Sequence, residues 1–244
     1  MIFRQLFEPI SSAYTYLVAC DETREAALID PVLETVDRDL ALLRELGLAL
    51  EYTLETHIHA DHVTGADRLR DATGSKVAVP LESGARQVDV AVREGEPILV
   101  GKVILEPIYT PGHTDDHHAY LLRGHDALRV FTGDALMIDG CGRTDFQNGD
   151  AATLYRSVHE KLFGLPDDTL VYPGHDYQQR RVSSIGQERA RNPRLGGGRT
   201  VEEFVAIMDG LNLPRPKKMD VAVPANRECG DAEMPSVCCP RSCE

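Results

Sequence analysis

The chain has 244 residues, of which 42% are hydrophobic and 27% charged, and its formal net charge is −13. This balance is typical of a folded globular protein and excludes a disordered or collagen-like chain. The negative charge repels phosphate backbones and anionic lipid surfaces, so nucleic acid is not an expected partner. The absence of a long apolar run and of a secretory signal predicts a cytoplasmic protein without a membrane partner.

Runs of alternating or β-branched residues, each bounded by turn residues, predict strands in both halves of the chain. In chain order these strands cover residues 13–19, 26–29, 48–56, 76–79, 98–109, 118–122, 128–132 and 169–172. The segments 36–43 and 154–162 have apolar residues at helical spacing before a glycine, which predicts two amphipathic helices. Ser184 and Thr200 are followed three residues later by Gln187 and Glu203, and these capping patterns predict two more helices.

Strands and helices thus alternate twice along the chain. This order favours two sheets packed face to face with helices outside, an α+β fold of the αββα type, over one doubly wound parallel sheet. One domain is expected over residues 1–228. Four of the six cysteines lie in the segment 229–244, for which a flexible tail is expected rather than a disulfide scaffold.

Three histidines and an aspartate lie within six positions of the segment Thr56-His57-Ile58-His59-Ala60-Asp61-His62. On a strand, residues 57, 59 and 61 would share one face, and a turn would bring His62 around to it. A packed core gives no reason for so many titratable side chains, because burying them without partners is costly. The segment therefore predicts a metal site.

The same local pattern recurs at three later positions, where an apolar run ends in a glycine-containing turn that presents a His or an Asp. These turns place His113, Asp134 and His175 at predicted sheet edges, where loops commonly carry function. Together with the first segment they supply enough ligands for two metal ions bridged by Asp134. The full set of candidates is His57, His59, Asp61, His62, His113, Asp134 and His175.

The HxHxDH motif and its partners resemble the metallo-β-lactamase superfamily. This resemblance implies an αββα sandwich with these residues along the edge between the two sheets. The ligand set by itself favours a hydrolase with two zinc ions, such as a glyoxalase II-type thioesterase. That family typically carries a longer C-terminal helical region, whereas little more than one helix and a Cys-rich tail are expected after Pro193.

Further motifs resemble the persulfide dioxygenase family more closely and span nearly the whole chain to about residue 230. They are GCGRTDFQ (140–147), TLYRSVHEKL (153–162), YPGHDY (172–177), ERARNPR (188–194), NLPRP (212–216) and VPAN (223–226). The resemblance implies one Fe(II) per chain, held by His57, His113 and Asp134, with three positions left to water or substrate. A triad of two His and one carboxylate suits oxygen chemistry because adjacent open positions can hold a persulfide sulfur and O₂.

The implied reaction converts glutathione persulfide, O₂ and water into sulfite and glutathione without an external reductant. His59, Asp61, His62 and His175 are then assigned to positions beside the ligands, where hydrogen bonds orient the ligands and tune the iron. Two zinc ions remain the alternative metal content, and a homodimer is the expected assembly.

Three side chains are candidates for binding the substrate. Arg143 and Arg194 would bind the carboxylates of glutathione, because Arg offers fixed paired donors for such groups, and Tyr177 lies two residues after His175. A structural salt bridge of Arg143 with Asp145 or with a nearby loop is the alternative for the first of these.

The stretch Asp115-Asp116-His117-His118 departs from the Pro-Gly sequence that follows the corresponding His-Thr in the animal members of the family. Two interpretations are open. The stretch is either a polar turn that leads into the next strand or a set of side chains that alters the surroundings of the metal.

Overall fold

The computed structural model describes residues 1–124 and 127–231. The strands of the first half are β1 (Ile2–Glu8), β2 (Ala13–Ala19), β3 (Glu25–Ile29), β4 (Ala49–Leu54), β5 (Lys76–Pro80) and β6 (Val90–Val92). Those of the second half are β7 (Ile98–Val100), β8 (Val103–Tyr109), β9 (His118–Arg123), β10 (Leu128–Gly133), β11 (Leu170–Pro173) and β12 (Ser183–Ser184). The α-helices are α1 (Val36–Leu46), α2 (Ala66–Thr73), α3 (Ala151–Ser157), α4 (Ile185–Arg191), α5 (Val201–Asp209) and α6 (Met219–Asn226).

The strands form two mixed sheets, with the orders β1-β2-β3-β4-β5-β6 and β12-β11-β10-β9-β8-β7. Strand β2 shows why the sheets pack face to face. Tyr14, Tyr16 and Val18 belong to the core that both sheets share, whereas Leu17 and Ala19 pack on the other side, under the helices. Alternate residues of a strand point to opposite faces, so β2 is buried on both.

Helices cover the outer face of each sheet. Leu43 of α1 and Leu69 of α2 pack on the first sheet, while Leu154 of α3, Ile185 of α4 and Phe204 of α5 pack on the second. The predicted αββα sandwich is therefore confirmed. Helix α1 ends as predicted at Gly47, whose φ of 60° is readily adopted only without a Cβ atom.

Some element boundaries differ from the prediction. The expected strand 48–56 ends at Leu54, and the expected strand 98–109 is two strands separated by a turn at Gly101 and Lys102. Strand β1 was not predicted, although it pairs with β2 in antiparallel register. Apolar and polar residues do not alternate regularly in its sequence IFRQLFE, and most of its residues are only partly buried.

The C-terminal part holds more structure than the sequence predicted. Between Pro193 and residue 231 the structure describes two α-helices, α5 and α6, instead of one. Cys229, the first residue of the segment 229–244 that was predicted as a flexible tail, is buried in a cluster with Ile58 and Val77. Cys238, Cys239 and Cys243 lie outside the described residues. Among the described residues, no helix combines the length and apolar character needed to span a membrane.

Candidate metal centre

The first candidate ligands lie in a loop and not on a strand. Because β4 ends at Leu54, the expected placement of residues 57, 59 and 61 on one strand face is wrong. Backbone hydrogen bonds set the path of this loop instead. The amide of Thr56 donates to Asp30 Oδ1 at 2.7 Å, and the amide of Ile58 donates to Asp116 Oδ2 at 2.9 Å.

Three side chains converge at the edge between the two sheets. His57 follows β4 of the first sheet, while His113 follows β8 and Asp134 follows β10 of the second. One potential ligand atom from each lies within 4.8 Å of the other two. His113 Nε2 and Asp134 Oδ2 are 3.5 Å apart. The structure thus brings together the three residues that the sequence suggested as iron ligands.

The partner of His57 determines which of its nitrogens faces the cluster. The Thr56 hydroxyl donates to Asp30 Oδ2 at 2.9 Å and lies 2.9 Å from His57 Nδ1. Since the hydroxyl proton is used on the carboxylate, the hydroxyl oxygen accepts from His57 Nδ1–H. The lone pair of Nε2 is therefore left for a metal ion.

His113 and Asp134 are oriented in the same manner. His113 Nδ1 donates to the Arg143 carbonyl oxygen at 2.6 Å, which again leaves Nε2 for a metal. A Cβ atom at Gly142 would lie 2.6 Å from His113 Nδ1, so a glycine is needed there. Asp134 Oδ1 accepts from His175 Nδ1 at 2.7 Å, and this leaves Oδ2 available.

The charge states of these groups suit a cation. Burial lowers the pKa of His57 well below its ordinary value, and the neighbouring His59 and His113 lower it further. Burial alone would raise the pKa of Asp134, but His175 outweighs it and holds that pKa below the usual range. The cluster therefore offers a neutral imidazole at His57 and an ionised carboxylate, the protonation states that metal ligands need.

Three of the four residues expected beside the ligands bond to one another. His175 lies between two carboxylates, with Nδ1 on Asp134 and Nε2 2.9 Å from Asp61 Oδ2. His62 Nδ1 contacts the same Asp61 oxygen at 3.0 Å. Burial opposes protonation of His175, but the two carboxylates outweigh it and raise its pKa well above the ordinary value. A doubly protonated imidazole has no lone pair for a metal.

The fourth residue, His59, faces a different pair of acids. Its Nε2 lies 3.2 Å from Asp30 Oδ1 and 3.4 Å from Glu55 Oε2, and all three side chains are buried. Sequence reasoning missed Asp30 and Glu55. The sequence did contain a signal for Asp30, because this residue directly follows the apolar strand β3, as Asp134 directly follows β10.

Sequence reasoning also missed Asn226 of α6. Its side-chain Nδ2 donates to the carbonyl oxygens of His59 and His62, at 2.9 Å each, and its Oδ1 accepts from the amide of Thr64 at 2.8 Å. The side chain thereby joins the C-terminal helix to the loop that carries His57. Its only sequence signal was its place in the VPAN motif.

The three substrate candidates have different surroundings. Arg143 forms a paired salt bridge with Asp145, at 2.6 and 2.7 Å, as the alternative interpretation proposed. Arg194 donates to the backbone oxygen of Cys141 at 2.8 Å. Tyr177 is 76% exposed, and its ring stacks beside His175 with the ring centres 6.4 Å apart. Tyr177 is therefore the most accessible of the three.

The chain is similar in sequence and in structure to proteins of a known superfamily. The model of the Metallo-beta-lactamase superfamily matches residues 10–175. The protein named Persulfide dioxygenase ETHE1, mitochondrial, from Homo sapiens is 52% identical over 94% of this chain and 89% of its own. The crystal structure of ETHE1 from Myxococcus xanthus is 55% identical with a TM-score of 0.90, covering 94% of this chain and 100% of that one. A Hydroxyacylglutathione hydrolase from a Polaromonas strain is 43% identical over 69% of this chain and 64% of its own.

Proposed function

The chain belongs to the metallo-β-lactamase superfamily and, within it, to the persulfide dioxygenases, and from this premise we propose how its own residues carry out the reaction. It is an enzyme that oxidises a persulfide with O₂. The proposed substrate is glutathione persulfide, and the proposed cofactor is one Fe(II) held by His57, His113 and Asp134.

One observation carries the choice of cofactor. In each of the three side chains, a hydrogen bond occupies one of the two possible ligand atoms and leaves the other for a metal ion. The atoms left in this way are Nε2 of His57, Nε2 of His113 and Oδ2 of Asp134. Two imidazole nitrogens and one carboxylate oxygen form the facial set typical of non-haem Fe(II) oxygenases. When bound there, Fe(II) would supply adjacent coordination positions at which the persulfide sulfur and O₂ react.

The proposed reaction is balanced without another electron donor. Glutathione persulfide, O₂ and water give glutathione, sulfite and two protons. The terminal sulfur loses electrons, O₂ gains them, and the bond between the two sulfur atoms breaks. Glutathione leaves with its thiol restored, so the chain needs a site for a metal and a persulfide but none for a nicotinamide or a flavin.

The bonds among the remaining side chains support one ion over two. A second ion would need Asp61, His62 and His175, but His175 uses both of its nitrogens on Asp61 and Asp134. His59 lies against Asp30 and Glu55. Of these contacts, the bond from His175 orients a proposed ligand, because it occupies Asp134 Oδ1 and leaves Oδ2 for the ion.

For the substrate, we propose Tyr177, Arg143 and Arg194 as contacts. Tyr177 would be reached first, since its ring is exposed and stacks beside His175. Arg143 would bind a glutathione carboxylate by exchanging its exposed partner Asp145, whose carboxylate occupies the guanidinium with the same paired geometry. The Arg194 guanidinium already donates to the Cys141 backbone oxygen, so a contact with substrate would be made in addition to this hydrogen bond.

We also propose a cytoplasmic homodimer. The free thiols of Cys20, Cys141 and Cys229 support a reducing compartment. Cell fractionation tests the compartment, and sedimentation of the purified protein tests the dimer.

Metal analysis and oxygen uptake test the function together. The protein is purified without oxygen, its iron and zinc are counted, and oxygen uptake with glutathione persulfide is compared with hydrolysis of S-lactoylglutathione. We expect about one iron per chain and oxygen uptake, and we expect His113→Ala and Asp134→Ala to lose both. His159→Ala is the matched control, because His159 lies in the outer helix layer and contacts Tyr155 and the Leu195 carbonyl.

The alternative is a thioesterase with two zinc ions. It has support from the hydrolase relative and from the grouping of His59, Asp61 and His62 within 4.8 Å of one another. Two zinc ions per chain with thioester hydrolysis would contradict the dioxygenase proposal. So would unchanged oxygen uptake in either ligand variant.

A further inference from the structure

His117 is a buried histidine outside the proposed ligand set, yet its ring contacts all three ligand residues. The side chain is fully buried in the turn between His113 and β9. Its ring stacks on His57 with centres 5.1 Å apart and an interplanar angle of 28°. It meets the His113 ring edge-on with centres 6.2 Å apart, and its Nε2 accepts from the backbone amide of Asp134 at 3.1 Å.

The hydrogen bonds of His117 determine its tautomer. A backbone amide only donates, so Nε2 of His117 holds a lone pair toward Asp134, and the ring proton is on Nδ1. That nitrogen lies 2.8 Å from Thr110 Oγ1, which is buried as well. Both nitrogens are therefore committed to protein partners, and the ring is held in one orientation.

The backbone in front of Asp134 is shaped around this ring. Gly133 has a φ of 47°, and a Cβ atom there would lie 2.5 Å from His117 Nε2. A residue with a side chain would meet both a strained backbone and the imidazole. The close approach of the ring to the Gly133–Asp134 peptide is thus a packed contact that leaves no room for adjustment.

We propose that His117 is a positioning residue, which fixes the carboxylate of Asp134 and the ring plane of His57 for a single metal ion. The inference rests on the proposed metal site. Because His117 Nε2 holds the backbone amide of Asp134, the direction of the Asp134 Cα–Cβ bond is fixed, and with it the position of Oδ2. The stacked ring removes the rotational freedom of His57, while the hydrogen bond that His117 Nδ1 donates to Thr110 Oγ1 prevents His117 from turning away.

This assignment explains the departure at residues 115–118. Asp116 accepts from the amide of Ile58 in the first ligand loop, and His117 accepts from the amide of Asp134 on the second sheet. Two neighbouring side chains thus brace ligand segments that come from different sheets. The stretch also leads into β9 at His118. The polar turn and the effect on the surroundings of the metal are therefore compatible interpretations of the same residues.

Metal affinity tests the inference without relying on turnover. Metal-free wild-type protein and its variants are titrated with Fe(II) under argon, and Co(II) is used as a spectroscopic probe of ligand geometry. We expect His117→Leu, which removes the acceptor, to bind Fe(II) about 10 to 100-fold more weakly, as found when partners of metal ligands are removed. The Co(II) spectrum should change as well.

Two variants distinguish positioning from simple core packing. His117→Gln puts an amide oxygen near the place of Nε2 and should keep Fe(II) affinity within about threefold of wild type. His118→Gln is the matched control, because His118 is equally buried and adjacent but packs against Tyr109 with the rings tilted by 41° and bonds to the Asp116 backbone. Its Fe(II) affinity should also stay within about threefold.

Thr110→Val keeps the ring and removes the partner of its Nδ1. This variant should weaken Fe(II) binding several-fold. If circular dichroism shows that His117→Leu does not fold, Thr110→Val alone tests the inference. Wild-type Fe(II) affinity in His117→Leu or Thr110→Val would overturn the inference. Equal losses in His117→Gln and His117→Leu, or a comparable loss in His118→Gln, would overturn it too.

Failure of the proposed function has a different signature. Wild-type protein that binds Fe(II) but takes up no oxygen with glutathione persulfide would contradict the dioxygenase assignment. The comparison of metal affinities among the variants would still decide the role of His117.

Discussion

At the scale of single residues, the centre depends on the hydrogen-bond partner of each ligand. His57 illustrates this, because the Thr56 hydroxyl that accepts from its Nδ1 is itself oriented by Asp30. The loss of one oxygen atom from Thr56 would leave the His57 ring free to change its tautomer. Metal affinity should therefore depend on a residue that does not touch the ion.

We expect Thr56→Val to bind Fe(II) about 10-fold more weakly, since valine keeps the shape of threonine without its hydroxyl. Thr56→Ser, which retains the hydroxyl, should remain near wild type. Thr169→Val is the matched control, because among the described side chains Thr169 is a buried threonine whose Oγ1 has no hydrogen-bond partner. Anaerobic titration measures all three, and equal affinity in Thr56→Val and Thr169→Val would contradict the prediction.

At the scale of elements, the centre is assembled from strand ends and one distant helix. Strands β4, β8 and β10 each precede one of the proposed ligands, and α6 holds the first of these loops from the outside through Asn226. The Asn226 side chain makes three hydrogen bonds to backbone groups of this loop. A helix near the end of the described chain thus contributes to the shape of a loop whose bonded residues lie 162 to 167 positions earlier.

Asn226→Ala should lower the free energy of unfolding of the metal-free protein by about 3 kcal/mol. The reason is that buried backbone groups are left without partners when the amide is removed. Urea unfolding measures the change. Asn212→Ala, at an exposed position, should stay within about 0.5 kcal/mol of wild type. A loss below about 1 kcal/mol in Asn226→Ala would show that α6 does not hold the loop.

At the scale of the whole molecule, the proposed ion would link the two sheets. His57 comes from the first sheet and His113 and Asp134 from the second, so unfolding has to separate the ligands. Anything that binds only the folded state stabilises it by mass action. Metal binding and global stability should therefore be coupled.

Removal of the metal should lower the melting temperature of the wild-type protein. With free Fe(II) at about 100 times its dissociation constant, the stabilisation is about 2.7 kcal/mol, which corresponds to about 5–10 °C for a chain of this size. Calorimetry under argon, with and without a chelator, measures the difference. Asp134→Ala should show little metal-dependent shift, and identical melting temperatures for loaded and chelated wild type would contradict the coupling.

The αββα architecture and the candidate ligands were predictable from local signals in the sequence. Apolar periodicity reports burial within one element, and a His or Asp directly after an apolar run reports a polar group at a strand end. For this reason the helices α1 and α3 and the residues His57, His113 and Asp134 could be recognised without coordinates. Strand β1 and helix α6 gave weaker signals, because their apolar periodicity is less regular.

The family resemblance implied a division of the seven candidate side chains, but only the tertiary structure shows the contacts that support it. His59 lies against Asp30 and Glu55, and His175 lies between Asp61 and Asp134. Residue type alone does not distinguish these two histidines from His57 and His113. The physical reason is that an imidazole offers a lone pair to a metal only at the nitrogen that its protein partner leaves free. Those partners, such as the Arg143 carbonyl beside His113 and the Asp61 and Asp134 carboxylates beside His175, are brought to the site by folding.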